Sequence, residues 1–221
     1  MVEHVLRLRE VGVDYRTPAG AVTAVSDVTL DVPATGLTVL AGPSGSGKST
    51  LLRVLSLVER PTRGGVELRG MGTARLSSGA RRELRRRDIA LVFQNPADNL
   101  LGHLDVGDNL RAAAQAAGRA VDVDEVLAQL GLPGTAAWKV AAMSGGQQQR
   151  LSFGCALARQ ATVVLADEPT SQLDASSADL VLETLADLAR RGVPVVVASH
   201  DPRLIALADT RFDLRNGALA A

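Results

Sequence analysis

Lysine is almost missing from this chain: of 221 residues only Lys48 and Lys139 carry an ammonium group, so nearly all positive charge is arginine. That bias reads as genomic composition. Neither sign of charge is in excess, 24 basic residues balancing 24 acidic ones, which removes any overall electrostatic case for nucleic acid as a partner. A single cysteine, Cys155, excludes an internal disulfide and agrees with a reducing compartment. Aromatic residues make up 2%, which makes the placement of Tyr15 informative. The three histidines, His4, His103 and His200, are too few to supply a metal cluster. No apolar run approaches the roughly 18 to 20 residues that cross a bilayer; segments such as Thr162 to Ala166 and Val193 to Ala198 have strand length, and a soluble protein is expected. The opening Met1-Val2-Glu3-His4 lacks a basic segment followed by an apolar stretch, so secretion is not expected. No internal repeat or low-complexity linker interrupts the chain.

What is present points to one compact domain, with 46% hydrophobic residues to build its core. Val5 to Arg9, Ala24 to Val32 and Val66 to Gly70 alternate apolar and polar residues, as half-buried antiparallel strands do. Thr162 to Ala166 and Pro194 to Ala198 are instead continuously apolar, the pattern of parallel strands covered on both faces. The fold class is therefore α/β. Asp108 to Ala117, Asp122 to Leu130 and Gly145 to Arg159 read as helices. Residues from about 95 to 159 are assigned to a helical subdomain, and 1–94 with 160–221 to the core and a flanking antiparallel β subdomain. The run Arg81-Arg82-Glu83-Leu84-Arg85-Arg86-Arg87 has the charge to bind phosphates or anionic headgroups, but reads better as a solvated helix face before a strand over Ile89 to Phe93.

The strongest local signal is Gly42-Pro43-Ser44-Gly45-Ser46-Gly47-Lys48-Ser49-Thr50, a phosphate-loop pattern matched at every defined position. Its glycines lack the Cβ atoms that would stop the backbone curling around an anion. Lys48 adds a point charge for the β- and γ-oxygens, and Ser49 a hydroxyl for Mg²⁺. Before it, Leu37 to Ala41 reads as a buried strand; after it, Thr50 to Leu55 opens a helix whose N-terminus favours negative charge. This strand, loop and helix context makes the core a P-loop nucleotide triphosphatase. A second signal follows the apolar run at 162–166, where Asp167 and Glu168 end a buried strand, the place where open α/β sheets bind ligands. Asp167 is placed to hold Mg²⁺ and Glu168 to polarise an attacking water. Met143-Ser144-Gly145-Gly146-Gln147-Gln148-Gln149-Arg150 places an N-cap and two bare backbone positions ahead of a helix, a second anion site.

With these motifs in this order along nearly its whole length, the chain resembles the nucleotide-binding subunit of an ATP-binding-cassette transporter. The resemblance implies head-to-tail dimerisation, with Ser144, Gly145, Gly146 and Gln147 of one copy closing on the γ-phosphate held by the phosphate loop of the other. It also implies that Tyr15 stacks on adenine, that Gln94 contacts Mg²⁺ and the attacking water, that Asp174 orders the neighbouring site across the interface, and that His200 contacts the γ-phosphate. ATP and Mg²⁺ are the implied cofactors. The implied partners are an integral membrane permease and a second copy or homologous ATPase, with no nucleic acid; the implied location is the cytoplasm, peripheral on the inner face of the cell membrane. Details over Ser77 to Asn109 look most like the lipoprotein-releasing and macrolide-exporter group. Phe153-Gly154-Cys155 stands where the family commonly has an Ile-Ala-Arg run, and a mid-helix glycine costs roughly 1 kcal/mol relative to alanine. Cys155 reads as a small buried hydrophobe rather than a reactive thiol.

The alternatives are of other kinds. Mechanical ATPases of chromosome maintenance share the phosphate loop and the family signature that Met143 to Arg150 resembles, but they place long coiled coils or zinc modules between the motifs, and Lys48 to Asp167 carries no sustained heptads. A soluble adaptor ATPase, of the cell-division or iron–sulfur assembly type, is the other reading.

Overall fold

The computed structural model describes residues 3–18 and 20–220. Met1 and Val2, part of the opening read above for a leader, lie outside the described residues.

In chain order, β1 (His4–Thr17) and β2 (Gly20–Pro33) form a long hairpin, and β3 (Leu37–Ala41) leads through the glycine loop into α1 (Lys48–Leu55). Next come β4 (Arg63–Leu68), β5 (Met71–Gly72), α2 (Ser78–Arg87) and β6 (Ile89–Val92). Three helices follow, α3 (Val106–Ala116), α4 (Val123–Gln129) and α5 (Gly145–Ala158). The chain closes with β7 (Val163–Asp167), α6 (Ala175–Arg190), β8 (Val195–Ser199), α7 (Pro202–Ala206), β9 (Thr210–Arg215) and β10 (Ala218–Leu219).

These strands make two sheets. One is antiparallel, in the order β2-β1-β4-β5; the other runs β10-β9-β3-β8-β7-β6, with β9, β3, β8, β7 and β6 parallel. The continuously apolar strands divide their side chains between two cores, because successive residues of a strand point to opposite faces. Val39, Val164, Ala166, Val195 and Val197 join a cluster that continues through α5 and α6 to Leu110 of α3 and Leu127 of α4. Leu40, Val163, Leu165, Val196 and Ala198 face the other way, onto α1 and the antiparallel sheet. The first core therefore runs without a break from the sheet into the helical stretch.

Several elements differ from expectation. The first two strands are 14 residues each, longer than the alternation suggested, because register shifts around Glu10 interrupt the pattern. The strand over 66–70 begins earlier and stops at Leu68, since Arg69 and Gly70 take positive φ (49° and 81°) and turn into β5. The arginine run is a helix but not simply a solvated face. Arg81 is buried, its Nη2 donating to the backbone oxygens of Leu57 (2.9 Å) and Glu59 (2.8 Å), and Arg85 donates to Leu57 as well (2.7 Å). These guanidiniums satisfy carbonyls just after α1, where Leu57 at φ 58° ends the helix.

The Phe153-Gly154-Cys155 departure has a packing reason. A Cβ on Gly154 would meet Leu130 Cδ1 at 2.5 Å and Leu110 Cδ2 at 3.2 Å, so its absence lets α3 and the end of α4 close on α5. Burial pushes the Cys155 thiol up to about 12, so the thiol form is favoured at neutral pH.

Candidate functional site

The parallel sheet orders the site. Across β3, β8, β7 and β6 the register pairs Ala41 with Ser199, Ala198 with Asp167, and Ala166 with Val92. The C-terminal edge therefore carries, side by side, the glycine loop, His200, the Asp167-Glu168 pair and the segment that leads to Gln94. Motifs far apart in sequence become neighbours because ligands meet open α/β sheets at this edge.

The loop conformation explains its composition. Gly45 and Gly47 have φ of 79° and 98°, a region that side chains rarely adopt. A Cβ at Gly42 would meet the Leu214 carbonyl at 2.3 Å, and one at Gly47 the Ala24 carbonyl at 2.6 Å. Gly47 is the N-cap of α1 and supplies no side chain to its first N–H groups, which have no partner inside the helix. Lys48 is only 5% exposed. Its Nζ donates to the Gly42 and Pro43 carbonyls at 2.8 and 3.0 Å and lies 3.5 Å from Glu168 Oε1.

Opposite the loop, Ser49 Oγ donates to Asp167 Oδ1 at 2.9 Å. Burial raises the Asp167 carboxyl above the ordinary aspartate range; the Ser49 hydroxyl partly offsets this and neighbouring Glu168 adds to it. Glu168 has φ 43°, a left-handed conformation held by its N–H on Ala198 O (2.9 Å). Its carboxylate meets His200 Nδ1 at 2.9 Å through Oε1 and accepts from Ser199 Oγ at 3.3 Å through Oε2. Gln94 reaches in from the end of β6, its Nε2 donating to Ser171 Oγ at 2.9 Å.

Together these groups line a cleft of about 640 Å³: Ser44, Gly45, Gly47, Lys48, Ser49 and Thr50 on one side, Gln94, Glu168, Ser171 and His200 on another. Asp167 reaches it through its bond to Ser49. The β1–β2 hairpin adds Val22, Thr23 and Ala24, and Asn216-Gly217 of the β9–β10 turn completes the wall. Gly217 N–H donates to Ser46 O at 3.1 Å, so that turn buttresses the loop. Sequence reasoning missed these contributors, although Asn-Gly is a turn signal that was open to reading. It also missed Ser199, fully buried yet in contact with Glu168.

Other expected site residues do not line the cleft within one chain, although Tyr15 reaches the Thr50 hydroxyl at its edge. Tyr15 does not line it; its hydroxyl donates to Glu59 Oε2 at 2.7 Å. Ser144 caps α5 in a reciprocal box: Gln147 N–H donates to Ser144 Oγ (3.3 Å) and Ser144 N–H to Gln147 Oε1 (2.9 Å). Gly146 packs on Ser177 of α6, and Gly145 faces Leu173. Asp174 caps α6, accepting from Ser176 Oγ (2.6 Å) and Ser177 N–H (3.0 Å); the Ser176 hydroxyl first, then the Ser177 N–H, hold its carboxyl well below the usual range.

A family model described as "ABC transporter" matches residues 25–171. The macrolide export ATP-binding/permease protein MacB of Bradyrhizobium diazoefficiens is 37% identical over an alignment of 222 positions that covers 98% of this chain and 34% of that protein. MacB of Escherichia coli strain K12 is 35% identical over an alignment of 217 positions that covers 96% of this chain and 33% of the relative. The chain thus spans about a third of the length of the curated relatives it matches. Among solved structures, the dimeric post-hydrolysis state of the ATP-binding cassette MJ0796, bound to ADP and Pi, superposes with a TM-score of 0.86 at 29% identity, covering 98% of this chain and 97% of that one. The structure of cbiO1 from Clostridium perfringens, part of the ABC transporter complex cbiONQ, matches at 22% identity and TM-score 0.84, covering 99% of this chain and 88% of that one, and shares the fold. The match over residues 25–171, laid on a sheet edge that gathers a phosphate loop and two strand-end carboxylates, shows that the chain belongs to the ABC transporter family.

Proposed function

We propose that the chain holds ATP in the cleft, hydrolyses it as one half of a two-site dimer, and thereby drives a membrane-spanning permease. The observation that carries this is Glu168: its carboxylate stands 3.5 Å from the phosphate-loop lysine and 2.9 Å from His200, at the mouth of a helix N-terminus left open for an anion.

In this reading Glu168 takes the proton of the attacking water while Lys48 and the first N–H groups of α1 bind the phosphates, from Gly42 through Thr50. His200 orients the Glu168 carboxylate and contacts the γ-phosphate. Ser49 Oγ, Asp167 and Gln94 Oε1 would hold Mg²⁺. The donors fit a hard cation, being all oxygen, and two of them already meet at 2.9 Å. Bound there, the cation supplies charge neutralisation for the phosphate oxygens.

Ser144, Gly145, Gly146 and Gln147 sit apart from the cleft of their own chain, which supports their acting on the nucleotide of a second copy, with Asp174 at the same interface. Tyr15 would serve the adenine from outside the cleft lining. The helical stretch over about 95–159 acts as a subdomain facing the permease. No helix among the described residues is long and apolar enough to cross a membrane. In this reading the membrane span belongs to the permease, and the chain docks on its inner face. The likeness to MacB supports an export system of the macrolide-exporter and lipoprotein-releasing group.

Glu168→Gln tests the reading. Turnover is expected to fall by about 10²–10⁴-fold, with ATP affinity within a few fold of wild type and an ATP-bound dimer accumulating on size exclusion. Turnover within a few fold of wild type overturns it.

A further inference from the structure

Ser171, in the loop after β7, stands between two groups that the proposed reaction uses. Its Oγ lies 2.9 Å from the backbone oxygen of Glu168 and 2.9 Å from Gln94 Nε2. A carbonyl oxygen can only accept, so the single hydroxyl proton of Ser171 goes to Glu168. The hydroxyl then has only lone pairs to offer Gln94, and the amide must present its N–H₂ end. With the amide reversed, two acceptors would face each other with no proton between them. The anchor is firm: the same Glu168 carbonyl accepts the Ser171 backbone N–H at 3.2 Å, and Glu168 is itself tied to β8.

We infer that Ser171 is a positioning residue that sets the polarity of the Gln94 amide, keeping Oε1 free to ligate a divalent cation. Only the oxygen end has lone pairs for a cation; the N–H₂ end repels one. The inference rests on the reading of Gln94 as a cation ligand given above. Ser171 is exposed and lines the cleft, so its hydroxyl can be removed without opening a core cavity.

The test measures Mn²⁺ affinity by electron paramagnetic resonance, on the full chain saturated with a β,γ-imido analogue of ATP. Ser171→Ala is expected to weaken Mn²⁺ binding about 10-fold, the size of effect seen when an outer partner of a metal ligand is lost. Ser171→Thr, which keeps the hydroxyl, restores it, and analogue affinity in EDTA stays at the wild-type value. In a Gln94→Ala background, Ser171→Ala adds no further loss, because there is no amide left to orient. Wild-type Mn²⁺ affinity in Ser171→Ala, an undiminished loss in the Gln94→Ala background, or no rescue by threonine overturns the inference. If Gln94→Ala itself leaves Mn²⁺ affinity unchanged, the ligand assignment of Gln94 fails instead, and the inference with it.

Discussion

Two helices of this chain begin at glycine-rich turns and treat their first N–H groups in opposite ways. At α1 the N-cap is Gly47, with no side chain to accept from the helix, and the residues around it are a buried lysine and two strand-end carboxylates. At α5 the N-cap is Ser144, which accepts from Gln147 and is closed in return by the Gln147 amide oxygen. One terminus stays open toward a polar cleft assembled from four strands, whereas at the other the Ser144 and Gln147 N–H groups are closed by side chains three positions apart. The difference teaches that the phosphate-loop site is preformed for an anion. The α5 start closes part of its own terminus with a reciprocal box, and any contact it makes with a second copy's nucleotide must add to that box or replace part of it.

Glycine substitution is the sharpest way to break this contrast. Gly47→Ala puts a Cβ 2.6 Å from a backbone carbonyl at φ 98°; a loss of about 2–4 kcal/mol on urea unfolding is expected, with at least a 10-fold loss of ATP affinity by calorimetry. Gly145→Ala meets only Leu173 Cδ2 at 3.4 Å, ordinary contact, and stability within about 0.5 kcal/mol of wild type is expected. Equal costs at the two positions would erase the distinction. Next in size is Ser144→Ala, which removes half of the box. It should lower stability by about 1 kcal/mol, or about 2–4 °C in Tm, while leaving nucleotide affinity of the single chain unchanged.

The smallest effect tests the electrostatics of the open site. The Asp167 carboxyl is raised by burial, so its protonated form is favoured in the folded chain; that contribution is full below the unfolded-state pKa and is lost as pH rises through the folded value. Asn mimics the protonated form. Asp167→Asn should therefore raise the Tm of the nucleotide-free chain at pH 7 by about 2 °C, and the gain should vanish below about pH 4. A gain that persists in acid would assign the effect to packing instead.

Legibility in the sequence followed the range of the interactions. Continuous apolar runs marked β3, β7 and β8 because strands covered on both faces have no solvent side. The glycine loop was legible because its backbone tolerates few other residues. Long-range partners were not: nothing local says that Arg81 turns inward onto the Leu57 carbonyl, or that Ser199 faces Glu168. The helix after Asp174, α6, was not singled out, although Asp followed by Ala-Ser-Ser is an ordinary capped start. Tyr15 shows the same limit, since its hydroxyl is engaged by Glu59 on a segment 44 residues away.

Residue order alone determined the kind of chemistry: a loop that must curl around an anion, carboxylates where a buried strand ends, and chain segments too short to cross a bilayer. The tertiary fold decided which of these groups meet. It set β8 between β3 and β7, brought the Glu168 carboxylate to both Lys48 and His200, and kept the signature helix away from its own cleft. The physical reason is that sequence fixes what a backbone can locally adopt, whereas strand order, chosen by burial of two separate cores, fixes which distant side chains share one edge.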